Sequence, residues 1–234
     1  MKIEDCNWMQ VEGYLQHEDR LVIPLGSVEQ HGYLSLGVDR ILSERVSVEA
    51  ADPLGVLVMP SLPYGLTPYF AAYPGSPTLQ VETYSAVLVD LLDSLAGQGF
   101  RRFLFVNGHG GNDGGRAAVE SWAETRVDAA VRWHNWWAGE RVRAVVNEID
   151  PDATHASWFE NFPWTRLHGV ELPPERKPMA DVSRMRELDP RDVRELLGDG
   201  SLGGAYSRPE ADVLRVWAAG VDEVRRLLED GWDA

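Results

Sequence analysis

Four side chains of metal-ligand type lie in two glycine-rich segments of the chain. Glu29, His31 and Asp39 follow the apolar run from Leu21 to Leu25, and His109 follows a second apolar run further along. Residues 29 and 31 of an extended segment point to the same side, because side chains of a strand alternate. Imidazoles and carboxylates without a thiolate are typical ligands of Zn²⁺, Mn²⁺ or Fe²⁺. We therefore predict a metal site built from these four residues.

His155 and Glu160 are two further candidates, in a segment rich in aromatic residues. If this segment begins a helix, the two side chains lie about one and a half turns apart and cannot both face one atom. They would then have different roles. The residues alone leave two interpretations open, a functional pair or a capped helix start beside a tryptophan-lined wall.

The elements that must position these residues alternate along the chain between strands and helices. Apolar runs predict strands at residues 21–25, 56–59, 101–106 and 129–134. Apolar spacing predicts helices at residues 4–19, 40–51, 83–97, 115–126 and 209–230, with Asp39 as the cap of the second. Such alternation favours a mostly parallel sheet covered on both faces, and the two metal-site loops would then leave the same carboxyl edge. We predict the α/β class, a three-layer α/β/α arrangement in one domain spanning residues 1–234.

Three segments carry no regular assignment. Residues 60–77 form a loop rich in Pro, Gly and aromatic residues, which is either functional or an aromatic-packed surface or subunit contact. Residues 135–178 contain most of a tryptophan cluster, for which core packing and a pocket wall are both open. Residues 179–206 are polar and rich in glycine.

Composition limits the classes of partner. The net charge of the 234 residues is −15, which argues against nucleic acid because phosphate binding needs clustered Lys and Arg. A single cysteine, Cys6, rules out an intramolecular disulfide and fits a reducing compartment. The N-terminus lacks a signal-peptide pattern, and no apolar run approaches the ~18 residues of a membrane span. We predict a cytoplasmic protein with a small-molecule substrate and no membrane partner.

Several motifs resemble those of the creatininase (creatinine amidohydrolase) family, and together they run from about residue 20 to 162. The similar stretches are Pro24-Leu25-Gly26-Ser27-Val28-Glu29-Gln30-His31-Gly32, Leu36-Gly37-Val38-Asp39, Tyr73-Pro74-Gly75-Ser76-Pro77-Thr78-Leu79, Asn107-Gly108-His109-Gly110-Gly111-Asn112, and His155-Ala156 with Glu160. The resemblance implies a compact α/β/α fold, hydrolysis of C–N bonds in amides or cyclic amides, and a homo-oligomer, commonly a hexamer.

The resemblance also implies a dinuclear centre with two divalent ions per chain, Zn or Mn, with Fe as a further fit. Carried over by position, Glu29 would hold one ion and His31 the other, with Asp39 as the bridge. His109 and Glu160 would complete the ligand shells. A water held between two cations loses a proton more easily and attacks a polarised carbonyl.

His155 and Glu160 are the predicted catalytic residues. His155 would protonate the leaving nitrogen, stabilise the oxyanion or orient the substrate. Glu160 would then combine a catalytic role with a ligand role.

Three positions depart from the family pattern. Leu34 stands where the family usually has a second histidine, and Gly111 stands where creatininase has a metal-associated glutamate. Ser157-Trp158 replaces a Gly-Glu pair. These departures predict a substrate other than creatinine and give Glu160 more weight, since it could supply the carboxylate that Gly111 lacks.

Two alternatives stay open. The same site could cleave a different bond, as do family members that act on a peptide, on formamides or on the ring of a cyclic ketone. A degenerate, non-catalytic oligomeric binding protein is the other alternative, which the retained ligand residues disfavour.

Overall fold

A parallel sheet forms the centre of the molecule in the computed structural model, which describes residues 1–185, 187–230 and 232. Its strands are β1 (Arg20–Leu25), β2 (Leu57–Val58), β3 (Arg102–Asn107) and β4 (Ala130–Asn135), in the order β2-β1-β3-β4. Leu25 pairs with Asn107, and Asn107 pairs with Asn135. The three longer strands therefore end in register at one carboxyl edge.

Helices cover both faces of this sheet. They are α1 (Trp8–Tyr14), α2 (Val38–Ala51), α3 (Val81–Gln98), α4 (Arg116–Glu124), α5 (Glu140–Ile149), α6 (Val182–Met185), α7 (Pro190–Leu197) and α8 (Glu210–Glu229). Val22 and Leu104 pack into a core with α2, α5 and α8. Ile23 and Phe105, one residue further along each strand, pack with α1, α3 and α4 on the other face. The predicted three-layer α/β/α class is confirmed.

Two predicted helix boundaries are wrong for identifiable reasons. The first helix begins only at Trp8, because the side chain of Asn7 accepts a hydrogen bond from the Gln10 amide and Gln10 reciprocates in a capping box. Asp39 does not cap the second helix, since α2 begins at Val38 and Asp39 lies in its first turn. Its carboxylate turns towards imidazoles instead of backbone amides.

The segments without a predicted element contain the helices α5, α6 and α7. In α5, Val142 and Val146 are fully buried one turn apart, which is a helical signal between polar residues. In α7, Asp189 accepts hydrogen bonds from the amides of residues 191 and 192, and Pro190 occupies the first position. Both signals are short and lie within irregular sequence.

A small separate core lies beside the carboxyl edge of the sheet. Phe70 and Tyr73, from the loop at residues 60–77, pack there with Met185, Val193 and Leu197 of α6 and α7. This core places part of the loop over the candidate site. Among the described residues, no helix has both the length and the apolar character needed to cross a bilayer.

Candidate metal centre

The carboxyl edge of the sheet brings the four predicted metal ligands together. Glu29 and His31 lie in the loop after β1, Asp39 in the first turn of α2, and His109 in the loop after β3. Each is buried, with at most 8% of its surface exposed. Gly108 makes this approach feasible, because a Cβ there would lie 2.4 Å from the Asp39 carbonyl oxygen.

The first group of ligand atoms comes from Glu29, Asp39 and His109, and we call it the Glu29 set. His109 Nδ1 lies 3.1 Å from Glu29 Oε1 and 3.1 Å from Asp39 Oδ2. The three potential ligand atoms lie within 4.8 Å of one another. One imidazole nitrogen and two carboxylates are therefore available to one divalent cation.

The second group comes from His31, Asp39 and Glu160, and we call it the His31 set. His31 Nε2 lies 3.0 Å from Asp39 Oδ1 and 3.7 Å from Glu160 Oε2. These atoms also lie within 4.8 Å of one another. Asp39 thus belongs to both sets, with Oδ2 turned to the Glu29 set and Oδ1 to the His31 set.

Hydrogen bonds orient the ligands of both sets. Nδ1 of His31 lies 3.1 Å from the Glu29 carbonyl oxygen, and Nε2 of His109 lies 2.8 Å from the Leu66 carbonyl oxygen. When each of these nitrogens donates to its carbonyl, the other ring nitrogen presents a lone pair to the site. Ser27 Oγ donates to Asp39 Oδ2 at 2.7 Å, which fixes the shared carboxylate.

Two buried polar atoms without hydrogen-bond partners are suited to bind a cation. Glu29 Oε2 and His31 Nε2 are buried and make no hydrogen bond of acceptable geometry within the described residues, although Asp39 Oδ1 lies only 3.0 Å from that nitrogen. A buried carboxylate oxygen and a buried imidazole nitrogen without partners cost stability. Divalent ions bound at the Glu29 set and the His31 set would satisfy both atoms.

The segment with His155 and Glu160 is a loop that ends in a short 3-10 turn, Trp158–Glu160. The Ala156 amide donates to Glu160 Oε2 at 2.6 Å, which holds the carboxylate towards His31. Ala156 has a φ of 57°, a conformation that a residue with a Cβ adopts only at a cost. His155 Nδ1 lies 3.6 Å from Glu29 Oε1, and the His155 ring centroid lies 4.3 Å from that of His31.

His155 is held by contacts on two sides. Its Nε2 lies 3.0 Å from the Gln30 carbonyl oxygen and 2.9 Å from the Gln30 side-chain nitrogen. Its ring stacks on Phe70, with centroids 4.7 Å apart and planes 15° from parallel. Burial and the nearby His31 keep the pKa of His155 well below the usual histidine value, so the ring is neutral near pH 7.

In the ion-free site, the buried carboxylates determine which groups bind protons. Burial lowers the pKa of His31, but the carboxylates of Asp39 and Glu160 outweigh burial and raise it to about 10. The pKa of His109 is also raised, because Glu29 and Asp39 outweigh burial. Burial raises the pKa of Glu160 to about 7. Without ions, protons on the two imidazoles compensate the buried carboxylates.

We expect the ion-free protein to lose stability as pH rises from 6.5 to 10. The pKa of His31 is about 10 when folded and about 6.5 when unfolded, so the folded state binds more protons across this window. The stabilising effect is complete below pH 6.5 and disappears through pH 10. Loading with Zn²⁺ or Mn²⁺ should abolish the decline, because the cations replace these protons.

Thermal melts of chelator-treated and ion-loaded protein across this pH range measure the effect. The stabilisation gained from the ions should grow with pH. A melting temperature of the ion-free protein that stays level or rises between pH 6.5 and 10 would contradict the protonation described above.

Gly111, a predicted departure, has no room for any side chain. A Cβ at this position would lie 1.8 Å from the Leu66 carbonyl oxygen and 2.5 Å from His109 Nε2. That carbonyl is the partner of the His109 ring, so it cannot move away without releasing a ligand. A glutamate at position 111 is incompatible with this loop, and the Glu160 carboxylate reaches the site instead.

Substituting Gly111→Ala should destabilise the protein by at least about 2 kcal/mol, because the new methyl group overlaps the Leu66 carbonyl. The matched control is Gly110→Ala, where the nearest atom to an added Cβ is Trp137 Cζ2 at 3.9 Å. Denaturant unfolding of the two variants measures the difference. Equal free energies of unfolding for both would show that the contact at Gly111 is not tight.

Leu34, another departure, is a buried core residue. It is 6% exposed and packs in the core cluster that contains Trp158 and Phe159. Trp158 itself is fully buried. These two departures therefore fill the core and contribute no ligand to either set.

A cavity of about 1290 Å³ opens over both sets of ligands. Leu66 and Phe70 of the loop at residues 60–77 line it, whereas Tyr64 is 52% exposed and lies outside the lining. Of the tryptophan cluster, Trp137 is the one member that lines the cavity among the described residues. The loop and the tryptophan cluster thus each contain residues that line the cavity and residues that do not.

Sequence reasoning missed several supporting residues. Ser27 and Gln30 lie within two residues of Glu29, and this proximity could have indicated that they support the site. The Leu66 carbonyl and the Phe70 ring come from a loop without periodicity, and only the fold reveals their contacts. Arg143 of α5 also lines the cavity and carried no sequence signal, because α5 was not predicted.

Comparison with known proteins identifies the family of this chain. The sequence profile of the creatininase family, described as creatinine amidohydrolase, matches residues 4–228. The creatinine amidohydrolase of Pseudomonas putida is 26% identical, over 96% of this chain and 95% of its own length. The mycofactocin precursor peptide peptidase of Mycobacterium tuberculosis is 36% identical, over 88% of this chain and 84% of its own length.

A solved structure named creatininase Mn has the same fold. It matches with a TM-score of 0.78 and 24% identity, over 100% of this chain and 99% of that chain. The fold, the buried carboxylate and imidazole groups, and the family profile define one class of protein. The chain belongs to the creatininase family. This confirms the resemblance and the predicted class of enzyme, a creatininase-like metal-dependent amidohydrolase.

Proposed function

We propose that this enzyme hydrolyses a C–N bond of an amide or cyclic amide at a dinuclear centre of divalent ions. The observation that carries the proposal is the division of the two Asp39 oxygens between the Glu29 set and the His31 set. A single-ion site has no need for a second set of buried ligands. Zn²⁺ or Mn²⁺, and also Fe²⁺, suit the mixed nitrogen and oxygen ligands.

Each residue of the two sets has a defined role in this proposal. Glu29 and His109 would hold one ion, His31 and Glu160 the other, and Asp39 would bridge them. The ions would supply Lewis acidity, which lowers the pKa of water and polarises a carbonyl. Ser27 keeps the bridging carboxylate in place through its hydrogen bond.

His155 would act on the substrate side of the centre. Its ring is neutral near pH 7, and the Gln30 carbonyl and the Phe70 ring fix its position beside Glu29. With Nε2 accepting from the Gln30 side-chain amide, Nδ1–H could donate a hydrogen bond to developing negative charge. With Nε2–H donating to the Gln30 carbonyl, Nδ1 could instead take a proton from the attacking water and pass it to the leaving nitrogen. Glu160, whose pKa is about 7 in the ion-free protein, would accept protons only where no ion occupies its carboxylate.

A peptide bond is the second candidate, and two observations favour it. The cavity of about 1290 Å³ exceeds the range of roughly 300–1000 Å³ that is usual for small-ligand pockets. The peptidase relative has higher identity to this chain, 36%, than the creatinine amidohydrolase, 26%. The same centre would serve, because a peptide is an amide.

The test is a substrate screen with ion-reconstituted protein. Creatinine, cyclic amides, formamides, short peptides and cyclic ketones are offered, and chelator-treated protein is the control. We expect amide or peptide hydrolysis that requires ions, with little turnover of creatinine. Hydrolysis of a non-amide alone, or full activity without ions, would overturn the proposal. The cytoplasmic location and the homo-oligomer, for which the resemblance implies a hexamer, stay predictions. Light scattering tests the oligomeric state.

A further inference from the structure

Among the described residues, the lining of the cavity over the metal centre contains four carboxylates and one arginine. Glu29, Asp39 and Glu160 line its floor, and Glu187 lines another part. Arg143 is the one Lys or Arg among the described residues that line it. The apolar part of the lining contains Phe70, Trp137, Phe159, Met185 and Leu202.

The guanidinium of Arg143 has no partner within the described residues. Its backbone amide bonds to the Gly139 carbonyl as part of α5, but its side chain makes no ion pair, hydrogen bond or ring contact there. Other half-buried arginines are engaged: Arg20 binds Glu18, Arg208 binds Asp150, and Arg225 donates to the carbonyls of residues 49 and 50. Among the half-buried arginines that the structure describes, Arg143 is the exception, although the full sequence has 37 Asp and Glu against 22 Lys and Arg.

An unpaired guanidinium is unusual at such a position. Half-buried charges lose part of their hydration and are normally compensated by an opposite charge. Carboxylates are abundant in this chain, yet none lies within 4 Å of this guanidinium in the described residues. The natural occupant of the position is therefore an anion that arrives with a ligand.

We infer that Arg143 binds a carboxylate of the substrate, so that the enzyme selects amides or peptides that carry a free carboxylate away from the scissile bond. This inference rests on the proposed hydrolase function and narrows its substrate class. A guanidinium offers two parallel N–H groups that match the two oxygens of a carboxylate. The apolar lining would accommodate the uncharged part of such a substrate.

The electrostatic surroundings make this contact selective. In the ion-loaded enzyme the floor carboxylates would be held by the ions, whereas Glu187, outside both sets, disfavours an anion on its part of the lining. Arg143 offers the anion a separate attachment point. A substrate held at both places presents its amide to the centre in one orientation, which favours reaction.

The test uses the tripeptide Ala-Leu-Ala and its C-terminal carboxamide with the ion-loaded enzyme. Wild type should prefer the carboxylate form. Arg143→Gln should lower kcat/KM for this form by about 10- to 100-fold, the size expected for one hydrogen-bonded charge, and change that for the carboxamide less than about 2-fold. Arg143→Lys should restore part of the loss. Arg141→Gln is the matched control, because Arg141 lies on the same helix α5 but forms a surface pair with Asp222 of α8.

Binding measured by calorimetry with acetyl-leucine and its carboxamide separates the possible failures. If wild type hydrolyses neither tripeptide nor any other amide, the proposed function fails. The inference would still be supported if wild type binds acetyl-leucine more tightly than its carboxamide and Arg143→Gln abolishes this preference. An equal loss of both tripeptide forms in Arg143→Gln overturns the inference. A carboxylate preference that persists in Arg143→Gln also overturns it, because the ions would then bind the anion.

Discussion

Substitution of Asp39→Ala is expected to remove both ions and to lower kcat/KM by at least about 1000-fold. Each oxygen of Asp39 faces a different set of ligands, with Oδ1 3.0 Å from His31 Nε2 and Oδ2 3.1 Å from His109 Nδ1. Loss of the shared carboxylate leaves two ligands in each set, too few for a stable site. Lewis-acid stabilisation of several kcal/mol disappears with the ions, and each 1.4 kcal/mol is about tenfold in rate.

Metal analysis of the purified protein and kinetics with the best substrate of the screen measure both effects. Asp113→Asn is the matched control, because Asp113 lies in the loop after β3 but bonds to Trp133 and Asn135 instead of a ligand. This variant should keep its ions. If Asp39→Ala retains the ion content of wild type, Asp39 is not the shared ligand.

Substitution of Glu160→Ala is expected to remove one ion and to leave the other. Glu160 belongs to the His31 set only, with Oε2 3.7 Å from His31 Nε2, whereas the Glu29 set remains complete. We expect kcat/KM to fall by about 100-fold or more, since one of the two cations that activate the reaction is lost. Position 111 cannot provide a replacement carboxylate, because any side chain there would overlap the Leu66 carbonyl.

The ion content per chain again gives the readout. Glu187→Gln removes a cavity carboxylate outside both sets and should leave the ion content unchanged. Loss of both ions in Glu160→Ala would show that the two sites are not independent. Retention of both would show that Glu160 is not a ligand.

Much of the fold was predictable because its signals are local. The strands at residues 21–25 and 101–106 are continuous apolar runs between turn residues, and the helix α3 has regular apolar spacing and ends at Gly99. Parallel strands then place their carboxyl ends together, which is why Glu29 and His109 could be placed near each other before their contacts were known. In contrast, α5 and α7 carry short signals within irregular sequence.

The part of the site that could not be predicted depends on long-range contacts. The position of Glu160 follows from the Ala156 amide and the left-handed backbone at Ala156, which no spacing rule indicates. Arg143 reaches the cavity only because α5 packs against α8 through Val142 and Val146. Tertiary packing determines both features. Glu160 was a candidate because of its motif although its contacts were not predictable, whereas nothing in the sequence indicated Arg143.

Anomalous scattering from crystals grown with Zn²⁺ tests the central claim most directly. Data collected on both sides of the zinc absorption edge locate each ion without reference to activity. The account predicts two peaks per chain, one among Glu29, Asp39 and His109 and the other among His31, Asp39 and Glu160. A single peak, or peaks that do not lie on either side of Asp39, would contradict the dinuclear centre.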